Sequence, residues 1–227
     1  MARRIGQVRS LLAKLPRPIG FVPTMGALHG GHLSLVDAAK SECASVVASL
    51  FVNPLQFGAG EDLSKYPRDY EGDRAQFEAH GVDVLFSPEA AEMYPAGFST
   101  YVDVGPMGTT YEGAIRPTHF RGVATVVTKL LNVVQPDALY LGQKDAQQTA
   151  VLRKVIADLS FAADVRIVHT VRDGDGLALS SRNAYLSADE RSGAPSLYAA
   201  LTALRLLLHQ GMPKDEAVKQ AATILNP

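Results

Sequence analysis

A single cysteine, Cys43, leaves no partner for an internal disulfide, so the fold cannot rest on a disulfide framework and the chain suits a reducing compartment. No run of about 18 apolar residues is present, which excludes a membrane-spanning helix. Met1-Ala2-Arg3-Arg4 likewise leads into no long apolar signal core, so a cytoplasmic location is expected. Neither sign of charge prevails: 22 Lys and Arg stand against 23 Asp and Glu, a net charge of −1. That balance argues against nucleic acid as the main ligand, while a local basic pocket for phosphate stays open. What is present is core: 47% of the 227 residues are hydrophobic and 20% charged, enough for one large domain with an appendage.

The most informative segment runs from Pro23 to His32. Ile19 to Val22 is a short apolar run suited to a buried strand, and from Leu33 onward the spacing is helical. Between them Met25, Gly26, Ala27, Leu28, His29, Gly30, Gly31 and His32 form a glycine-rich turn. A helix start presents free N–H groups and the positive end of the dipole, and glycines let a ligand approach the backbone. His29 and His32, three residues apart, can reach neighbouring phosphate oxygens. Backbone-satisfied histidines and a zinc pair are the alternatives. With one cysteine and no use for the glycines in a zinc site, phosphate is favoured.

Further apolar runs at Val46 to Val52, Val82 to Phe86, Ala138 to Leu141 and Val165 to Thr170 alternate with helical stretches. This is an α/β pattern: a Rossmann-like parallel sheet with helices on both faces. After Arg121, the residues Val123, Val126, Val127, Leu130, Leu131 and Val134 recur on one helical face. A second helix is predicted over Asp145 to Leu159, with Leu152, Val155, Ile156 and Leu159 inward and Asp145 as its cap. In such sheets ligands collect beyond the carboxyl ends of the strands, so distant turns can share one crevice.

Three other turns offer chemistry. In Gly142-Gln143-Lys144-Asp145 the Lys144 ammonium can neutralise phosphate charge and Gln148 projects one turn along; alone, an exposed lysine before a simple cap accounts for it better. Leu179-Ser180-Ser181-Arg182-Asn183 brings hydroxyls and a guanidinium together, which suits a polyphosphate, against the alternative of a plain loop. Ser187 with Glu190 reads as a capping box. Phe51 to Phe57 places Gln56 beside apolar surface, fit for a small hydroxy acid.

Together Pro23 to His32, Phe51 to Phe57, Tyr66-Pro67-Arg68, Arg116-Pro117-Thr118-His119-Phe120, Gly142 to Gln148 and Ser180 to Asn183 resemble the pantothenate synthetase (pantoate–β-alanine ligase) family, part of the His-x-Gly-His nucleotidyl transferase superfamily. The resemblance implies condensation of pantoate with β-alanine through a pantoyl adenylate, with ATP as substrate. It implies that Met25 to His32, Gly142 to Asp145, Val171 and Leu179 to Arg182 hold ATP. His32 would donate a proton or stabilise the transition state beside His29, and Lys144 and Arg182 would neutralise phosphate charge. Gln56 and Gln148 would bind pantoate, with Asn53 beside them and Gln56 also near β-alanine. Asp73 would be the Mg2+ carboxylate, its alternative being a solvated acid on a helix from Asp69 to His80.

Ala146 and Leu179 depart from residues common in the family, aromatic and methionine respectively. The resemblance further implies a homodimer; separately, the residues offer an exposed hydrophobic turn, Asn53 to Phe57, and the stripe Leu197, Leu201, Leu204 and Leu208 as candidate contacts, with no interface assigned. The expected domains are 1–186, binding ATP and pantoate, and 187–227, a partial, truncated lid broken at Gly211-Met212-Pro213 and ending in a short helix closed by Pro227. A working ligase and a binding fragment with poor turnover are both compatible with that layout, as is a related nucleotidyl transferase.

Overall fold

The apolar runs form strands β1 (Ile19–Thr24), β2 (Ser45–Leu50), β3 (Val84–Phe86), β4 (Ala138–Gly142) and β5 (Asp164–Val168) in the computed structural model, which describes residues 1–225. All neighbours pair in parallel in the order β3-β2-β1-β4-β5. Successive strands run outward from β1 to β3 on one side, and the chain then returns to place β4 on the other side of β1. Between β1 and β4 lies the switch point at which ligands enter such sheets.

The helices of this part are α1 (Ile5–Leu12), α2 (Gly30–Glu42), α3 (Tyr70–Ala79), the single turns α4 (Ala90–Met93) and α5 (Glu112–Ile115), α6 (His119–Val134) and α7 (Ala146–Asp158). Strand alternation divides the core between the two faces of the sheet. Phe21, Val47, Phe86, Leu139 and Leu141 pack with Val8 and Leu12 of α1, the whole stripe of α6, and Leu152 and Ile156 of α7. Val22, Val46, Ala48, Leu85 and Tyr140 pack with Leu35, Val36 and Ala39 of α2 and Phe77 of α3. Both faces are covered, as a parallel sheet requires.

Two sequence expectations fail locally. Leu159 is 49% exposed instead of inward, because it is the C-cap of α7, where the chain turns into Ser160 at φ 55°. The Asn53 to Phe57 turn is not an exposed surface: Asn53 and Gln56 are buried under α6.

The described chain divides into Met1–His169 and a second unit from Thr170 onward. That division falls before the expected 186/187 boundary, and Arg172, Asp173 and Asp175 contact the helices that follow. In this second unit Arg172 bridges antiparallel to Ala178, and a turn of 3-10 helix covers Ser181–Tyr185. Helices α8 (Ala188–Gly193), α9 (Ser196–His209) and α10 (Lys214–Ala222) follow. Arg191 of α8 pairs with Asp173 and Asp175, and the Arg172 guanidinium lies 3.8 Å over the Tyr198 ring of α9. The Ser187 and Glu190 capping box forms as expected. On α9, Leu197, Leu201 and Leu208 are exposed. Pro227 lies outside the described residues. Among the described residues no helix is long and apolar enough to cross a membrane.

Gly122 gives the packing of α6 a sharp test. A Cβ there would stand 2.2 Å from the Leu55 carbonyl oxygen and 2.6 Å from the Gln56 nitrogen, so α6 meets the turn backbone to backbone. Helix propensity alone would make Gly122→Ala stabilising by about 1 kcal/mol. Overpacking against rigid backbone outweighs it, and urea denaturation should show a loss of about 1–3 kcal/mol. A variant at least as stable as the parent would contradict this packing.

Candidate active site

The turn after β1 is built from the backbone outward. Gly26 and Ala27 both take left-handed φ, 92° and 51°. A Cβ on Gly26 would fall 2.7 Å from Asp73 Oδ2 and 2.8 Å from Leu50 Cδ1, so only glycine fits. Asp73, near the start of α3, is 2% exposed, and its two oxygens accept hydrogen bonds from the amides of Ala27 (2.9 Å) and Leu28 (2.8 Å). Burial pushes its carboxyl above the ordinary range, while the two amides pull the other way. A left-handed alanine costs about 1–2 kcal/mol. Two hydrogen bonds to a carboxylate are worth about 1.5–3 kcal/mol each, so the clamp prevails even after part is lost to desolvation.

This placement rules out the alternative reading of Asp73 as a solvated acid: the side chain is buried, and each oxygen accepts one amide of the turn. Among the described residues no three His, Cys, Asp or Glu side chains are grouped to hold a metal ion.

The clamp delivers the histidines. His29 is the N-cap of α2 and His32 its third residue, in a reciprocal cap that a sequence search for Ser or Thr would overlook. The Gly31 amide donates to His29 Nδ1 (3.1 Å), and the His29 amide donates to His32 Nδ1 (3.4 Å). An imidazole nitrogen that accepts carries no hydrogen, so each ring in its neutral form holds its proton on Nε2. The ring centroids are 4.1 Å apart, making a pair of N–H donors. Burial, then the neighbouring His29, then the Lys144 charge lower the His32 pKa to about 3. Burial and Lys144 also lower that of His29, with Asp145 opposing. At neutral pH His32 is therefore an uncharged hydrogen-bond donor in the free protein, and an imidazolium proton donor is not what this environment favours.

Lys144, in the turn after β4, supplies the cation. Its charge reaches both imidazoles, so the turns after β1 and β4 share one locality. Asp145 occupies the N-cap of α7 but makes no side-chain cap bond; its Oδ1 lies 3.5 Å from Lys144 Nζ instead. The two glutamines that follow differ in use. Gln147 staples the Met107 and Thr110 carbonyls and the Glu112 amide, while Gln148 is half-buried on the next position of α7.

Gln56 enters from the turn after β2, with Nε2 donating to Met25 Sδ at 3.1 Å. Sulfur is a weak acceptor, so a ligand oxygen would replace it readily. The Gln56 carbonyl accepts from Arg116 Nη2 (3.2 Å) and His119 Nδ1 (3.0 Å). Arg116 is itself held by Glu61 and Glu112, and burial lowers the His119 pKa. Asn53 does not fit the expected binding role, because its four hydrogen-bonding positions are filled within the protein.

Of the residues read from sequence, Val171 and Leu179 to Arg182 belong to the second unit. The Leu179 amide donates to the Val171 carbonyl, and Ser180 Oγ accepts from the Arg182 amide at 3.2 Å. Tyr94, Glu61, Gly122 and the clamp function of Asp73 were missed. The one local signal was Gly122, an isolated glycine in a strongly apolar helical pattern, which points to close packing.

The model of the pantoate-beta-alanine ligase family matches residues 1–226. The chain belongs to the pantoate–β-alanine ligase family. Among curated members, the pantothenate synthetase of Thermus thermophilus is 55% identical over 219 residues, covering 96% of this chain and 79% of that protein. That of Herpetosiphon aurantiacus is 55% identical over 202 residues, covering 89% and 73%. The crystal structure of the Thermus thermophilus pantothenate synthetase superposes with a TM-score of 0.94 at 53% identity, over 99% of this chain and 81% of that one. The pantoate–β-alanine ligase of Francisella tularensis, solved with beta-gamma ATP and β-alanine, gives 0.86 at 36% identity, over 98% and 85%.

The neutral state of His32 has a linkage consequence for this family member. Its folded pKa of about 3 lies below the ordinary 6.5, so the unfolded chain binds more protons between those values. The associated stability is fully present above the unfolded pKa and is lost as pH falls toward the folded one. From neutrality to about pH 4.5 the loss from this residue reaches at most about 2–3 kcal/mol. Urea midpoints should fall less with acid in His32→Gln than in the parent. Equal pH slopes would contradict the depressed pKa.

Proposed function

We infer that the protein is an ATP-dependent ligase joining pantoate to β-alanine. Family membership across the chain carries this reading, and the locality shared by His29, His32, Lys144, Met25 and Gln56 supports it chemically. The pantoate carboxylate oxygen attacks the α-phosphorus of ATP and the bond to pyrophosphate breaks, leaving pantoyl adenylate. The β-alanine nitrogen then attacks the acyl carbon, AMP departs, and the amine loses a proton.

Such transfer needs positioning and charge neutralisation more than a protein nucleophile. The Met25 to His32 turn serves ATP, with the His29 and His32 Nε2–H groups donating to phosphate oxygens. The Lys144 ammonium offsets the charge on the departing pyrophosphate. Gly142, Gln143 and Asp145 flank that lysine in the nucleotide site. Gln56 and Gln148 serve pantoate, and Gln56 also the β-alanine carboxylate. Val171, Leu179, Ser180, Ser181 and Arg182 are proposed nucleotide ligands on the family resemblance alone. Magnesium accompanies ATP, held by phosphate and water. The free thiol and balanced charge favour a cytoplasmic enzyme, and a second copy of the chain is its proposed partner.

Exchange of labelled pyrophosphate into ATP tests the first half-reaction. It should require pantoate, and AMP should follow only when β-alanine is added. His32→Ala should fold and lose about 10²-fold in exchange rate, the scale of one transition-state donor. Exchange independent of pantoate would overturn the substrate assignment, and near-normal exchange in His32→Ala would retire the donor role.

A further inference from the structure

The Gln56 side chain is an amide, and which end it offers decides what it recognises: the NH2 end donates, the oxygen end accepts. Its neighbours fix that choice. Asn53 Oδ1 accepts from the Leu55 amide at 3.3 Å, and Asn53 Nδ2 donates to the Gly122 carbonyl at 3.1 Å. Both partners are backbone groups whose donor and acceptor roles cannot be exchanged, so the Asn53 amide has one orientation. Asn53 Nδ2 then requires an acceptor 3.1 Å away, which is Gln56 Oε1. The Gln56 NH2 is thereby the end left to face Met25 Sδ.

One further donor completes the chain. The Tyr94 hydroxyl lies 2.7 Å from Asn53 Oδ1, and since that oxygen only accepts, the phenol donates. Burial raises the Tyr94 pKa, keeping the phenol protonated. Its ring is held independently of the hydroxyl, 5.0 Å from Phe98 and 6.1 Å from Phe51 between centroids, with the Lys129 ammonium 6.0 Å from its centre.

We propose that Tyr94 and Asn53 are positioning residues that lock the Gln56 amide with its NH2 toward the substrate, so that this position selects an anionic or hydroxyl oxygen and rejects an ammonium. The proposal rests on the reading of Gln56 as a pantoate ligand and deepens it. The β-alanine amine cannot be held here, because an ammonium facing the NH2 end would find donors only. Substrate orientation is therefore written into a hydrogen-bond chain that begins at Tyr94, 41 residues from Asn53 on the sequence.

A double-mutant cycle tests the relay in pantoate-dependent pyrophosphate exchange with the full chain. Tyr94→Phe keeps the ring and removes one hydroxyl, so folding should be preserved. It should raise the KM for pantoate by about 3–10-fold, the worth of one buried hydrogen bond, with the KM for ATP changed less than about two-fold. On a Gln56→Ala background the same substitution should add nothing further to the pantoate KM, since its effect passes through Gln56. Asn53→Asp supplies only acceptors, which turns the Gln56 NH2 inward, and should match Gln56→Ala in its pantoate defect. Equal shifts in both KM values, or an undiminished Tyr94→Phe effect without Gln56, would overturn the relay. If Gln56→Ala itself leaves the pantoate KM unchanged, the assignment of the site fails and the relay falls with it.

Discussion

The carboxylate of Asp73 is the constraint on which the rest of the site depends. A turn with Gly26 and Ala27 both left-handed has no sequence-local reason to persist, and its two inward amides would be unpaired if buried without an acceptor. Asp73 meets both amides from the first turns of α3, so the first helix after β2 braces the loop after β1. Every later feature follows: the start of α2 at Gly30, the His29 cap, the locked tautomers and the pairing of the two rings.

The sheet order explains why distant segments cooperate. β1 and β4 are neighbours although well over a hundred residues separate them, and both turns leave from the carboxyl ends of these strands. The Lys144 charge, which lowers the pKa of both His29 and His32, accords with that adjacency. From the β2 side, Gln56 reaches Met25, while Gly122 lets α6 approach closely enough to anchor the same turn. The three loops proposed to recognise acid, nucleotide phosphate and leaving group are thus held by one sheet, which is how preorganised sites keep their donors aimed.

Much of this was legible in the chain, and the failures have identifiable causes. The strands, the α6 stripe and the β1 turn with its two histidines follow from period and glycine placement, which are local properties. Residue roles that depend on what lies across space were not legible. Asp73 carries the same letter whether it faces water, metal or two amides, and only the fold places it under Ala27. Asn53 and Gln56 sit three apart in one motif, yet one is saturated and the other keeps a replaceable contact with sulfur. Gln147 and Gln148 are adjacent and alike in sequence, and helix rotation gives them different neighbours. Leu159 reads as periodic but lies just past the last residue of α7, where the periodicity no longer applies.

Backbone amides hold both histidines as neutral donors bearing hydrogen on Nε2. Nitrogen-15 NMR of the imidazoles in the ligand-free protein near neutral pH tests it most directly, because protonated and bare ring nitrogens resonate far apart. Nε2–H, Nδ1-bare spectra are expected for His29 and His32, with His32 remaining uncharged well below pH 6.5. Nδ1–H tautomers, or a His32 that titrates near 6.5, would contradict it.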